Sequence, residues 1–218
     1  MNEFYSEQQR ALQDRFETRA IADSHVGTIV HDEVQEPEKA FIEGRDMFFL
    51  STVDAMGQPT CSYKGGDPGF VRVVDAKTVA FPSYDGNGMF YSLGNIRATA
   101  KIGMLFLDFE KPNRLRLHGT ASVGEDDPLI KDYPGAEMIV RVAIRNLFIN
   151  CPRYVHRYQK VSASRYVPRA GCATPFAEWK RIDVLQDALP PRDRGKADRA
   201  GGVITIEEYV AEVAAGEG

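Results

Sequence analysis

Three groups of residues in this chain have types and spacings suited to holding an anion. The first surrounds Asp85-Gly86-Asn87-Gly88, after which Met89, Leu93, Ile96 and Ala100 recur at helical spacing. A helix start leaves backbone N–H groups unpaired and carries partial positive charge, which favours a negative ligand. Gly86 and Gly88 let the backbone approach such a ligand closely. Ser92 and Asn95 lie three apart, on a helix face that the apolar residues leave polar. The same residues also fit an ordinary helix capped by Asn87. The second group is Ser62-Tyr63-Lys64, in which alternation puts Ser62 and Lys64 on one face and Tyr63 on the other. The third is Arg114 and Arg116, which alternate with Leu115 and Leu117, so both guanidinium groups leave the chain on one side. Their forked geometry suits a phosphate. Arg153, in Cys151-Pro152-Arg153-Tyr154, is a further cation of this kind. Each of these cations fits a solvated surface as well.

Other chemistries find no support. His25, His31, His118 and His156 lack the His-Glu-x-x-His spacing, and Cys61, Cys151 and Cys172 form no C-x-x-C pair, so no metal site is expected. No Gly-x-Ser-x-Gly elbow and no Walker loop occurs. No Gly-x-Gly-x-x-Gly opens a long βαβ unit, which disfavours a dinucleotide-binding dehydrogenase. Three widely spaced cysteines read as reduced thiols in a cytoplasm. A net charge of -4 and a pI near 5.6 argue against nonspecific nucleic-acid binding. No stretch approaches the roughly 20 apolar residues that span a bilayer, and Met1-Asn2-Glu3 begins no secretory leader.

The elements that must position these groups are mostly strands. Phe48 to Val53 is a β-prone run ended by the turn Asp54-Ala55-Met56-Gly57, and Gln58 to Lys64 alternates behind it. Phe70 to Val74 and Thr78 to Phe81 form a second pair around Asp75-Ala76-Lys77. Ile102 to Phe109 is nearly all apolar, as in a strand buried on both faces, and Leu115 to Gly119 alternates strictly. Ala136 to Ile149 suits a strand or a helix, and its β-branched density favours the strand.

Helices flank this region. Ser6 and Gln9 form a capping box ahead of an amphipathic helix from about Glu7 to Ala20. Glu36-Pro37 opens a second helix that Gly44 ends, and Thr205 with Glu208 caps a last one through about Val213. Prolines 168, 175, 190 and 191 punctuate the segment before it, with a helical turn near Glu178-Trp179-Lys180. At 218 residues the chain suits one well-cored domain with extensions: a helical extension at 1–45, a barrel at 46–160 and a wrapping segment at 161–218.

Taken in order, Ser51-Thr52-Val53-Asp54 with Gly57 and Pro59, the helix after Asn87, the strand Gly103-Met104-Leu105-Phe106 and the strand Arg116-Leu117-His118-Gly119 resemble a known pattern. It is that of the pyridoxamine 5'-phosphate oxidase-related, FMN-binding split-barrel superfamily. The resemblance runs from Glu36 to Val123 and more loosely to Tyr154. It implies a mainly β fold with helices, a six-stranded antiparallel split β-barrel with helical extensions at both ends. It also implies a homodimer with a flavin at each subunit interface, and a cofactor of FMN or a deazaflavin. Cofactor-binding positions carried over are Ser62, Tyr63, Lys64, Ser83, Asn87, Gly88, Met89, Ser92, Asn95, Arg114, Arg116 and Arg153.

Two departures separate the chain from the vitamin B6 enzyme. Tyr91-Ser92 stands where that enzyme has an Arg-Lys pair for the phosphate, so Lys64 with Arg114 and Arg116 is left to supply the charge. The C-terminus, Val213 to Gly218, is small and acidic where the B6 enzyme has a basic, apolar tail. The expected activity is therefore FMN-dependent oxidoreduction of another small molecule, the alternative being a flavin-binding carrier, store or sensor without turnover. No acid or base catalyst is identifiable in the sequence.

Overall fold

A computed structural model describes residues 4–216. Met1 to Glu3 and the terminal Glu217-Gly218, read above for a leader and for a basic tail, lie outside the described residues. The chain divides into two compact units, Met1–Ser162 and Ala163–Gly218.

The first unit is a seven-stranded antiparallel sheet in the order β2-β1-β5-β6-β7-β4-β3. Its strands are β1 (Met47–Val53), β2 (Pro59–Gly65), β3 (Arg72–Asp75), β4 (Thr78–Tyr84), β5 (Lys101–Asp108), β6 (Asn113–Gly124) and β7 (Ala136–Asn150). The resemblance implied six strands, while the residue pattern itself marked the seven that are present, the four-residue β3 making an edge hairpin with β4. The sheet curls. β1 and β4 are four places apart in the strand order, roughly 19 Å in a flat sheet, yet the rings of Phe48 and Phe81 meet at 5.0 Å. Phe48 also contacts Phe70 and Phe106, so these aromatic rings fill the middle of the barrel.

Alternation decides which residues face that core. Ile102, Met104 and Phe106 point inward, but Gly103, Leu105 and Leu107 are only half-buried, so β5 is covered on one face and not on two as its composition suggested. In β7, Val140, Val142 and Ile144 are buried in step, and then the phase changes. His118 pairs with Asn146 while Gly119 pairs with Ile144, leaving Arg145 as the extra residue of a β-bulge. Beyond it Leu147 takes the inner face, while Phe148 moves to the outer one against the rings of His118 and Phe4.

Helices α1 (Glu7–Arg15) and α2 (Arg19–Thr28) replace the single N-terminal helix expected from 7 to 20. The capping box at Ser6 is present, but Glu17 adopts a positive φ of 54°, and the chain turns there before resuming. Helix α3 (Glu36–Glu43) begins and ends where its proline and glycine suggested. Helix α4 (Tyr91–Thr99) lies against β1 and β6, across the barrel mouth.

The second unit holds 3₁₀ turns at Glu178–Arg181, Asp183–Ala188 and Ala197–Ala200, followed by helix α5 (Ile206–Ala215) with the predicted Thr205–Glu208 capping box. Ile182, Leu189, Ala197 and Ile204 are buried in it. Beside them Lys180 and Asp193, each with 5% of its side chain exposed, pair at 2.8 Å. Among the described residues no helix is long and apolar enough to cross a membrane.

Two stability effects follow. A Cβ added at Gly119 would lie 2.4 Å from the Ala143 carbonyl oxygen and 2.7 Å from a Val142 methyl. Gly119→Ala should therefore lower unfolding stability by about 1–3 kcal/mol, read as a reduced urea midpoint. In the second unit, Asp193→Asn removes the near counter-charge of a buried ammonium, at a cost of about 3–5 kcal/mol. Trp179 is the sole tryptophan of the sequence and belongs to that unit, so its fluorescence transition should shift to lower denaturant. An unchanged midpoint would mean that water already screens the pair.

Candidate functional site

Helix α4 is fixed over the barrel mouth by polar contacts as well as apolar ones. Leu93 and Ile96 are buried against the core. Between them, Ser92 Oγ meets Ser62 Oγ at 2.9 Å, and Asn95 Nδ2 donates to Thr52 Oγ1 at 3.1 Å. Thr99 Oγ1 donates to the Val53 carbonyl at 2.8 Å. Ser92 and Asn95 are only 6% and 7% exposed. The polar helix face expected to meet a ligand is thus turned into the protein, where each side chain satisfies a partner. The cause is plain, because a hydroxyl or carboxamide is tolerated inside a barrel only when paired.

These contacts also set the direction of the helix. Ser62 pairs with Leu50 on β1, and the partners of Asn95 and Thr99 are Thr52 and Val53, further along the same strand. α4 therefore runs in the direction of β1 and against β2. Lys64 lies two residues beyond Ser62 on the same face, roughly 7 Å along β2, and so stands ahead of the first turn of α4.

Lys64 is half-buried, and among the described residues no hydrogen bond or ion pair reaches its ammonium group. Burial pushes its pKa down from the ordinary lysine value. The helix it faces has no side-chain cap. Its N-cap residue is Phe90, in the left-handed region at φ 48° and ψ 27°. The amides of the first turn consequently lack the partner that an Asn, Asp, Ser or Thr would give them. An unpaired cation thus faces an uncapped helix start, with two paired hydroxyls between them.

The helix does not open at Asn87. That side chain instead accepts from the Met89 N–H at 3.1 Å in a preceding turn, with Gly88 at φ 76°. Met89 is exposed ahead of the helix, and Ala100 ends it at φ 57°. The periodic set was read one turn too early because the left-handed Phe90 is invisible to hydrophobic spacing. Ser83 sits on β4 two residues beyond Phe81, which puts it on the inner face.

The remaining predicted residues lie elsewhere. Phe48, Phe106 and Leu115 share the inner face with Lys64, so Arg114 and Arg116 project from the opposite side of the sheet. Three strand spacings, roughly 14 Å, add to that separation. Within one chain Lys64 and Arg116 therefore stand too far apart, and on opposite faces, to grip one phosphate together. The outer face combines Tyr63, Phe49, Leu105, Arg116 and Phe148 in one cross-strand row. Next to it, burial and the charges of Arg116 and Arg145 push the His118 imidazole below its usual pKa. Arg153 follows β7 and stacks its guanidinium over Tyr154 at 5.3 Å.

Thr52 and Thr99, which anchor α4, escaped the sequence reading. The available signal was Thr52 itself, a polar residue at an inward position of an apolar strand. Among the described residues no three His, Cys, Asp or Glu side chains gather as metal ligands.

No curated protein sequence matches the chain. Among solved structures, HupZ of Group A Streptococcus is similar at 20% identity and a TM-score of 0.45, over 58% of this chain and 99% of that one. A putative pyridoxamine 5'-phosphate oxidase of Lactobacillus delbrueckii is similar at 24% identity and a TM-score of 0.44, covering 54% and 95%. An FMN-binding protein of Syntrophomonas wolfei is similar at 14% identity and a TM-score of 0.42, covering 65% and 97%. At the level of sequence, the family model described as pyridoxamine 5'-phosphate oxidase matches residues 34–161, from the start of α3 through every strand of the barrel, and to that family this chain belongs.

Proposed function

We propose that this protein binds FMN by its phosphate at Lys64 and the first turn of α4, and that it is an FMN-dependent oxidoreductase acting on a small molecule. One observation carries the reading: a half-buried ammonium with no partner among the described residues, placed ahead of an uncapped helix. An isolated buried charge is costly, and a phosphate would relieve both Lys64 and the first-turn amides together. The residues present fit the group. Lys64 would supply charge in place of the basic pair that Tyr91-Ser92 lacks, and the amides of α4 would supply directed donors.

Bound there, a flavin would bring hydride and electron transfer that no side chain offers. The protein's own part is to hold and orient. The pairs Ser62–Ser92 and Asn95–Thr52 keep the first turn of α4 in place beside β2. Arg114 and Arg116 would serve a flavin held by a second copy of the chain, since they leave the sheet on the side away from Lys64. A homodimer is accordingly part of the proposal.

Titration with FMN and with riboflavin, followed by absorbance and fluorescence, tests the phosphate site. A charge-assisted contact is worth about 1.5–3 kcal/mol, so Lys64→Met should weaken FMN roughly ten- to hundred-fold. Riboflavin, which has no phosphate, should bind variant and parent alike. Equal loss of both ligands would assign Lys64 to the fold. Affinity for FMN should also fall at a lower pH than an ordinary lysine would dictate, because the ammonium loses its proton early.

The dimer is tested separately. Arg116→Ala should weaken FMN only in the dimeric state seen by light scattering. A monomer with unimpaired affinity would remove Arg116 from the site. Anaerobic reduction of the bound flavin by NADH or NADPH would support turnover, and inertness to every donor would leave a binding protein.

A further inference from the structure

The outward face of the sheet carries a cluster of cations that the net charge hides. With 31 acidic against 27 basic residues the chain is acidic. Yet among the described residues no Asp or Glu stands at an outward position of β1, β2, β5 or β6. The cluster surrounds a dip at Gly103, whose cross-strand neighbours are Ser51 on β1 and His118 on β6. A Cβ at Gly103 would lie 3.7 Å from His118 Cδ2 and 3.8 Å from Ser51 Cβ, so these two side chains wall a floor of bare backbone. The Phe148 ring meets the imidazole edge-on at 5.6 Å and holds it beside this floor. Lys101 lies two residues along β5 on the same face, roughly 7 Å away, and Arg116 pairs with Leu105 at the other end. Arg145, the extra residue of the β7 bulge, stands close enough to His118 for its charge to be felt there. Lys101, Arg116 and Arg145 are exposed, and among the described residues none of them has a carboxylate partner.

We infer that this dip is a second anion site, for a small carboxylate or phosphate monoester with a flat apolar body. Cations around an imidazole, with no carboxylate on the face, favour a negative head group, and the Ser51 hydroxyl adds a neutral donor. Half-buried Leu105 and Phe49, paired across β5 and β1, continue from the dip as an apolar strip for the body. The bulge serves this arrangement twice, since it keeps Arg145 beside His118 and turns Phe148 outward against the imidazole. Burial and the charges of Arg116 and Arg145 push the His118 pKa down. An anion in the dip therefore draws a proton onto His118 and binds more tightly as the pH falls. The dip lies on the opposite side of the sheet from Lys64, and Arg116, assigned above to a partner's flavin, only borders it. It stands whether or not a flavin binds at α4.

The probes are benzoate and phenyl phosphate, compared with benzyl alcohol and benzylammonium. Each is titrated into the flavin-free, full-length protein by calorimetry, with the His118 ring resonances followed by NMR. Both anions should bind at least about fivefold tighter than benzyl alcohol, with benzylammonium weakest. A saturating anion should raise the His118 pKa. Gly103→Ala adds a methyl in ordinary van der Waals contact and removes a glycine from a strand interior, so it should fold. It should weaken both anions about fivefold, and Gly103→Val at least about tenfold. Arg145→Gln should weaken them about two- to fivefold, the worth of one exposed charge pair. Gly103→Ala and Arg145→Gln should bind FMN as the parent does, because neither residue belongs to the phosphate site at Lys64. A parallel loss of FMN would merge the two sites and overturn the assignment. So would benzyl alcohol bound as tightly as the anions, anion affinity undiminished in Gly103→Val, or a His118 pKa indifferent to saturating anion. Absence of saturable anion binding below about 10 mM, a limit close to the weakest specific affinities, would overturn it as well.

Discussion

The polar seam beneath α4 is the constraint on which the candidate site depends. Ser62 with Ser92, Asn95 with Thr52 and Thr99 with the Val53 carbonyl occupy a region otherwise filled by Leu93, Ile96 and the barrel core. Apolar packing alone tolerates sliding of a helix over a sheet. Hydrogen bonds between buried groups do not, because a displaced helix would strand several polar atoms out of water. The seam therefore sets both register and direction, and with them the place where the first turn of α4 ends. That Lys64 stands ahead of this turn is a consequence of the same contacts that close the barrel mouth.

Much of the architecture was legible in the sequence, and for physical reasons. Strand alternation marked Leu115 and Leu117 as inward and Arg116 as outward, and burial follows that pattern. Both predicted capping boxes at the ends of the chain are formed, because they are local devices within four residues. Backbone states that leave no hydrophobic signature were not legible. Phe90 at φ 48° delays the helix, Glu17 at φ 54° divides another, and neither residue type announces a left-handed conformation. The partners of the polar residues of α4 were not legible for a related reason. Spacing shows that Ser92 and Asn95 share a face, but it cannot show that Ser62 and Thr52 wait opposite them.

The bulge at His118 and Gly119 separates what periodicity can reach from what it cannot. Before it, β7 buries alternate residues up to Ile144, while beyond it the order inverts and Phe148 joins the outer face. One inserted residue thus builds an aromatic contact with His118, whose imidazole feels the charges of Arg116 and Arg145. Gly119 makes the insertion sterically feasible, since any Cβ would strike the neighbouring strand. Curling divides the cations in the same geometric way. Lys64 is turned inward and Arg114 and Arg116 outward, so a ligand touching both sets must take them from two chains.

Lys64 also links the site to the stability of the fold. Burial disfavours its charged form, so the folded-state pKa lies below that of the unfolded chain. The unfolded chain therefore binds more protons between the two values, and stability rises with pH across that window. A charged Lys64 is thus a small destabilisation of the fold at neutral pH. An anion at the start of α4 opposes burial and raises the pKa again, so binding and protonation reinforce one another. A lysine retained only for the fold would instead gain by pairing with a carboxylate, as Lys180 does with Asp193. The absence of any such partner among the described residues leaves the ammonium available to a ligand.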